Sequence, residues 1–329
     1  MATLYITEQG TTVTKSGERL LLRKDGKLLQ ELPAIQVDQI VVFGNAHFTA
    51  PAVNFVLNQG IDVAYLSAYG MYRGRLQQAP SKDAALRQAQ YQRAGDLAFC
   101  LETAKHMVHA KINNSLVIVQ RQRQRDREVQ DVIRQLRRTL GNLDGAADLE
   151  TLRGHEGSAA AAHFRAFRHG LRVDLGFRNR VHRPPPDPVN VLLSLGYTLL
   201  HNQMFAAINV VGLDPYLGFF HQTRHGHATL ASDLIEEWRA VLVDSLVLGL
   251  VNRQEIGAAD FHTQKGRVHL LNEGRAKFLR AYDARLRTTV TYPPTQEQTP
   301  YLRCLELQVR QLARVLTNRE PAYTPYRVR

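Results

Sequence analysis

The pattern of this chain changes once, and the change divides it. Up to about residue 76, short apolar runs alternate with glycine turns. After a polar, proline-containing stretch the apolar residues recur at helical spacing instead. Glu8-Gln9-Gly10, Lys15-Ser16-Gly17 and Lys24-Asp25-Gly26 punctuate the first part, and Asp-Gly between strand-like runs is a hairpin signal. Residues 40–43 and 61–66 read as buried strands. Between them Pro51 suits the first position of a short helix ending at Asn58, with Gly60 beyond it. The fold class expected is therefore α+β: a β-rich domain over residues 1–76, a linker over 77–83, and a mostly α-helical domain over 84–329.

The second part is read from its punctuation. Residues 84–120 predict one or two helices, and the basic run from Arg121 to Arg127 continues as a charged helical face. Val129, Val132, Ile133, Leu136 and Leu140 supply its apolar stripe, and a loop follows over residues 141–145. Asp187-Pro188 predicts an N-cap and first helical residue, opening a long apolar helix with Leu192, Leu195 and Leu199 on one face. A second apolar helix is expected from about Asp233 to Asn252, a small hairpin over residues 265–270, and a final helix over Tyr301–Leu316 after Thr299-Pro300. His201, Asn202, Gln203 and Asn209 interrupt the longest apolar stretch, so it reads as a buried helix and not a membrane span. The start of the chain predicts no signal peptide.

Composition narrows the function. Net charge is +12, unevenly placed: residues 1–80 carry 7 basic and 6 acidic side chains, residues 81–140 carry 12 and 6. A basic helical part is drawn to polyanions, nucleic acid first among them. Residues 121–138 and 172–183 are the candidate backbone contacts, although the first of these also reads as a plain solvated helix face. Two cysteines, Cys100 and Cys304, make neither a disulfide framework nor a cysteine-rich zinc module, which predicts a cytoplasmic setting. No Walker A loop, dinucleotide fingerprint or nucleophile elbow is present, and His155-Glu156 is not followed by a histidine at position 159.

Two segments hold the residues suited to chemistry. In Leu152-Arg153-Gly154-His155-Glu156-Gly157 an acid sits between glycines, read as a loop entering an alanine-rich helix. From Gly212-Leu213-Asp214-Pro215 to Gly218-Phe219-Phe220-His221, glycine, proline and aromatics build a turn that can aim His221. Asp233, Glu236 and Glu237 follow, on one face of a helix. Clustered carboxylates repel unless a cation relieves them, and Mg²⁺ or Mn²⁺ suits oxygen ligands with one imidazole. The same acids also read as a solvated helix start, with Arg239 pairing Glu236. His221, His225 and His227 leave open a zinc site, and Tyr197 either stacks on a base or packs in the core.

Taken in order, these pieces resemble the CRISPR-associated integrase/endonuclease family of spacer acquisition, most like its type I members. The resemblance rests on Leu152-Arg153-Gly154-His155-Glu156-Gly157, Asp187-Pro188-Val189-Asn190, Gly196-Tyr197-Thr198-Leu199-Leu200, Gly212 to His221, Ser232-Asp233-Leu234 with Glu236, Glu237 and Arg239, and Asn252-Arg253. It implies a catalytic set of Glu156, His221, Asp233 and Glu236. The first three would hold Mg²⁺ or Mn²⁺. It further implies double-stranded DNA substrates, a homodimer formed through the β-rich domain, and a small ferredoxin-like adaptation subunit. The expected reaction inserts a captured fragment into a repeat array by transesterification. A catalytically inactive DNA-binding scaffold and a zinc hydrolase stand as the alternatives.

Overall fold

A computed structural model describes residues 2–78, 83–122, 126–181, 184–264 and 266–328. The chain forms two compact units, Met1–Pro80 and Ser81–Arg329. Residues 79–82 of the expected linker lie outside the described residues.

The first unit contains β1 (Ala2–Ile6), β2 (Thr11–Ser16), β3 (Arg19–Lys24), β4 (Lys27–Pro33), β5 (Val37–Phe43), β6 (Ala46–Phe48), α1 (Ala50–Asn58), β7 (Asp62–Leu66) and β8 (Tyr72–Leu76). They make two four-stranded sheets, in the orders β1-β5-β7-β8 and β4-β3-β2-β6. The β3–β4 turn falls on Asp25 and Gly26, whose φ angles of 48° and 78° are those a tight hairpin demands. One apolar cluster joins both sheets to α1, with Val13, Leu20, Ile40, Val56 and Val63 among its members.

The second unit is helical: α2 (Ala84–Ala94), α3 (Leu97–Arg121), α4 (Arg127–Asn142), α5 (Leu149–Gly170), α6 (Pro188–Val211), α7 (Thr229–Trp238), α8 (Ser245–Asn252), α9 (Asn272–Arg287) and α10 (Tyr301–Leu316). Aspartate caps open five of them, from Asp83, Asp96, Asp126, Asp148 and Asp187, each accepting a hydrogen bond from the first turn. Val108, Ile112, Val119, Val132, Leu136, Leu152, Ala162 and Ala166 bind α3, α4 and α5 into one core. Two β-hairpins complete the unit: β9 (Phe261–Gln264) with β10 (Arg267–Leu270), and β11 (Thr289–Tyr292) with β12 (Glu297–Pro300). The sequence pattern announced only the first of these.

Three expectations need correction. The basic face does not run on from α3: that helix ends at Arg121, and α4 restarts at Arg127 because the Asp126 carboxylate accepts from Glu128 N at 2.7 Å. Residues 123–125 lie outside the described residues. Residues 152–157 are not a loop but the second and third turns of α5. The apolar run from Asp233 to Asn252 starts earlier, at Thr229, and carries a π-helical stretch, Arg239–Asp244, between α7 and α8. By length and composition α6 could cross a membrane, at mean hydropathy 1.3. Yet Leu192, Leu193, Leu199, Leu200, Met204 and Ile208 along it are all buried in the unit.

Candidate active site

The turn that carries His221 is built before the histidine is aimed. Gly212 ends α6 in the left-handed region, at φ 100°. Asp214 Oδ1 accepts from Tyr216 N at 2.8 Å, which tightens the next turn. From α2, Gln90 clamps the segment. Its Nε2 donates to the carbonyls of Asp214 and Leu217 at 2.8 Å each, and its Oε1 accepts from Asp214 N at 2.7 Å. Arg153 of α5 donates from Nη2 to the Phe220 carbonyl at 2.7 Å.

Asp233 then fixes the histidine. Its side chain is fully buried, and its oxygens accept three successive backbone N–H groups: Phe219 at 2.6 Å, Phe220 at 3.0 Å and His221 at 2.9 Å. It also accepts the Nδ1–H of His221 at 2.6 Å. That last bond orients the ring, leaving Nε2 turned away from Asp233. Gly218 is required for this approach. A Cβ there would meet Asp233 Oδ2 at 2.3 Å and the Thr229 backbone at 2.9 Å. Burial opposes protonation of His221, but Asp233 and Glu236 outweigh it and raise its pKa.

Nε2 of His221 lies 3.9 Å from Oε1 of Glu236. Glu236 sits one turn after Asp233 on α7, and it too is buried, at 3% exposure. Lys111, projecting from α3, pairs with both Glu236 Oε2 and Glu156 Oε1, so one ammonium joins a carboxylate of α7 to a carboxylate of α5. Arg239 adds a second positive charge, donating from Nη1 to Glu236 Oε1 at 2.9 Å. Burial by itself would raise the Glu236 pKa, but Arg239 and Lys111 reverse the effect and hold it well below the usual carboxylate range. Glu236 is therefore a permanent anion at neutral pH.

Glu156 reaches this centre because α5 is continuous beneath it. Asp148 caps the helix, accepting from Thr151 N at 2.7 Å, and Leu152, Ala159, Ala162 and Ala166 bury its inner face. Packing of that face outweighs the roughly 1 kcal/mol that each helical glycine costs at Gly154 and Gly157.

The four expected residues are thus neighbours, but their parts differ. Glu156 and Glu236 share Lys111 and His221 Nε2 faces Glu236, whereas Asp233 is consumed in holding the histidine and its loop. Among the described residues, no three acidic, imidazole or thiol side chains stand close enough together to share an ion as they are. His225 and His227 are exposed, and His227 Nε2 contacts Ser232 Oγ at 3.2 Å; the zinc trio is not assembled.

Lys111 was not anticipated. Its signal was present: between Lys105 and Arg121 it is the sole Asp, Glu, Lys or Arg in an otherwise apolar and amide-bearing helix. Glu237, by contrast, faces away. Its oxygens accept the Tyr323 hydroxyl at 2.6 Å and the Tyr326 backbone N–H, tying α7 to the C-terminal segment. Burial there pushes its pKa up to about 8.

Beside the site lies a small cavity of about 30 Å³ lined by Lys111, Ser115, Ala159, Ala160, Tyr197, Glu236 and Arg239, among others. Tyr197 is buried. Its ring lies under the Arg239 guanidinium at 4.2 Å, and its hydroxyl donates to Asp244, which also holds His163 at 2.8 Å. Several motif residues serve the scaffold. Asp187 accepts from Asn190 N at 2.8 Å, and Asn252 donates from Nδ2 to the Gly170 carbonyl at 2.8 Å, closing the end of α5.

Comparison with known proteins places the whole arrangement. The family model described as CRISPR associated protein Cas1 matches residues 4–284. The chain is 38% identical to the CRISPR-associated endonuclease Cas1 3 of Thermus thermophilus, over 99% of this chain and 97% of that one. It is 32% identical to the CRISPR-associated endonuclease Cas1 of Mycobacterium tuberculosis, over 98% of this chain and 96% of that one. A solved CAS1 protein from Thermotoga maritima has the same fold, with a TM-score of 0.85 at 22% identity over 98% of this chain and 99% of that one. A chain of a Cas6-RT-Cas1–Cas2 complex matches with a TM-score of 0.85 at 25% identity, covering 98% of this chain and 36% of that chain. With a family model spanning both units and relatives aligned nearly end to end, the chain belongs to the CRISPR-associated Cas1 family, the endonuclease/integrases of spacer acquisition.

Proposed function

We propose that the catalytic centre is Glu156, His221 and Glu236 acting with a divalent cation, Mg²⁺ or Mn²⁺, and that Asp233 is the residue that positions His221. The donor set fits such an ion: two carboxylates share a single positive charge and an imidazole nitrogen faces one of them, the combination hard divalent ions accept. The observation that carries this reading is the orientation of His221, whose Nδ1 is spent on Asp233 and whose Nε2 faces Glu236. It moves Glu236 into the ligand set that the sequence resemblance gave to Asp233. When bound, the cation supplies charge relief to a phosphodiester and lowers the pKa of an attacking hydroxyl.

The protein's own groups prepare that chemistry. Asp233 fixes the direction of the imidazole. Arg239 keeps Glu236 ionised from its far side. Glu156 stands on the open side of the site, where a DNA strand can approach. With a DNA 3′-hydroxyl as nucleophile the outcome is strand transfer of a captured fragment into a repeat; with water it is cleavage.

Arg121, Arg127, Arg137 and Arg138 are exposed on α3 and α4 and serve as backbone contacts. Arg180 does not: it donates to Val181 O, Asn190 Oδ1 and Ser194 Oγ at 2.6–3.0 Å. Two copies pair through the β-rich unit and join a small ferredoxin-like subunit. Support for that partner comes from the Cas6-RT-Cas1–Cas2 complex, which contains a chain of this fold.

The test is cleavage of branched DNA by the purified chain in EDTA, Mg²⁺, Mn²⁺ or Zn²⁺. Cleavage restored by Mg²⁺ or Mn²⁺ and silenced by His221→Ala, with DNA binding held within a few-fold, is expected. Cleavage that persists in EDTA, or that His225→Ala abolishes while His221→Ala does not, would sink the proposal.

A further inference from the structure

Lys111 has no part in the reaction as set out above, yet it stands at the centre of the site. Its ammonium contacts one oxygen of Glu156 and one of Glu236, and only 12% of its side chain is exposed. Two carboxylates on different helices would otherwise face each other in a poorly solvated place, where like charges repel strongly. The lysine relieves that repulsion. It belongs to the rigid middle of a long helix whose neighbours Ile112 and Ser115 are buried, so it is always at hand. A divalent ion needs those same carboxylate oxygens.

We propose that Lys111 is a tethered monovalent cation that occupies the ion's place between Glu156 and Glu236, and that a divalent ion binds by displacing it, so that Lys111 sets the metal affinity of the site. This rests on the assignment of Glu156 and Glu236 as metal ligands. Three features support it. Lysine carries a compact charge on a flexible four-carbon stem, so its ammonium can leave while its backbone stays. Space for a displaced ammonium exists, because Lys111 borders a cavity of about 30 Å³, room for one water-sized group, walled partly by the small side chains of Ser115, Ala159 and Ala160. Tethering also gives the ammonium a high effective concentration, so a free ion of equal charge competes poorly while one of double charge gains from both carboxylates at once. The arrangement gives a site that is folded and neutralised without metal, and that discriminates against Na⁺ and K⁺.

The experiment is direct Mn²⁺ binding to the full chain, read by calorimetry and by loss of the free-ion paramagnetic resonance signal, with no DNA and no turnover. Lys111→Met is expected to bind Mn²⁺ at least about tenfold more tightly than the parent. It should also melt at a lower temperature in EDTA and show a larger upward shift on adding Mn²⁺. Lys111→Arg, which keeps the charge, should not gain affinity. Lys111→Gln provides a second neutral side chain should the methionine variant fold poorly. Equal or weaker Mn²⁺ binding by the neutral variants overturns the role of Lys111 while leaving the ligand assignment standing, provided that the parent binds and Glu236→Gln does not. Failure of the parent and every Lys111 variant to bind Mn²⁺ overturns both.

Discussion

Glu236 and Glu237 are adjacent on α7, equally buried, and driven in opposite directions. Glu236 faces Lys111, Arg239 and His221 and is held ionised far below the ordinary range. Burial is nearly the same for both, at 3% and 1% exposure. What separates them is whether a fixed positive charge lies within contact. A buried acid beside fixed cations stays charged; a buried acid among hydroxyls and amides becomes a strut.

The largest test of that distinction is activity. If Glu236 holds the proposed cation, Glu236→Gln should lower DNA cleavage by more than about 100-fold. Glu237→Gln should leave cleavage within a few-fold, its amide still able to accept from Tyr326 N and donate to Tyr323. Equal losses from the two substitutions would erase the contrast.

Stability should rank them the other way. Glu237→Ala strands the Tyr323 hydroxyl and the Tyr326 N–H in a buried place, at a cost of about 1–3 kcal/mol. Thermal melting should fall by several degrees, whereas Glu237→Gln should melt close to the parent.

The last test is pH dependence. Glu237 keeps its proton in the folded state up to about 8 but releases it near 4.5 when unfolded. Its contribution to stability is therefore fully present below pH 4.5 and lost as pH rises to 8. For Glu236 the sign is opposite: its contribution is present above pH 4.5 and lost as pH falls toward its depressed value. Melting curves should show a decline between pH 4.5 and 8 that Glu237→Gln flattens. A Glu237→Gln variant with the parent's slope would show that Glu237 is charged in the fold.

Local rules reached the scaffold more readily than the site. The Asp25-Gly26 turn, the Asp187 cap and the helix over Tyr301–Leu316 each depend on a few neighbouring residues, and each was legible from them. His221, Asp233 and Glu236 stood out through the turn-forming residues before them. Glu156 was placed in a loop because Gly154 and Gly157 break helices in isolation. The packing of Leu152, Ala159 and Ala162 that overrides them comes from α3 and α4. The division of labour between Asp233 and Glu236 also could not be read in sequence, since it depends on which ring nitrogen of His221 meets which carboxylate. Lys111 lies 45 residues before Glu156, and only the tertiary fold brings them together.

The π-helical stretch at Arg239–Asp244 carries a consequence for how this region tolerates change. It lets Arg239 turn to Glu236 while Asp244 still reaches Tyr197 and His163. A π turn closes over one residue more than an α turn, so deleting one here would restore regular α-helix and leave α8 near its place, at the cost of the simultaneous reach of Arg239 and Asp244. Homologous chains should vary in letter between Arg239 and Asp244 but not in number.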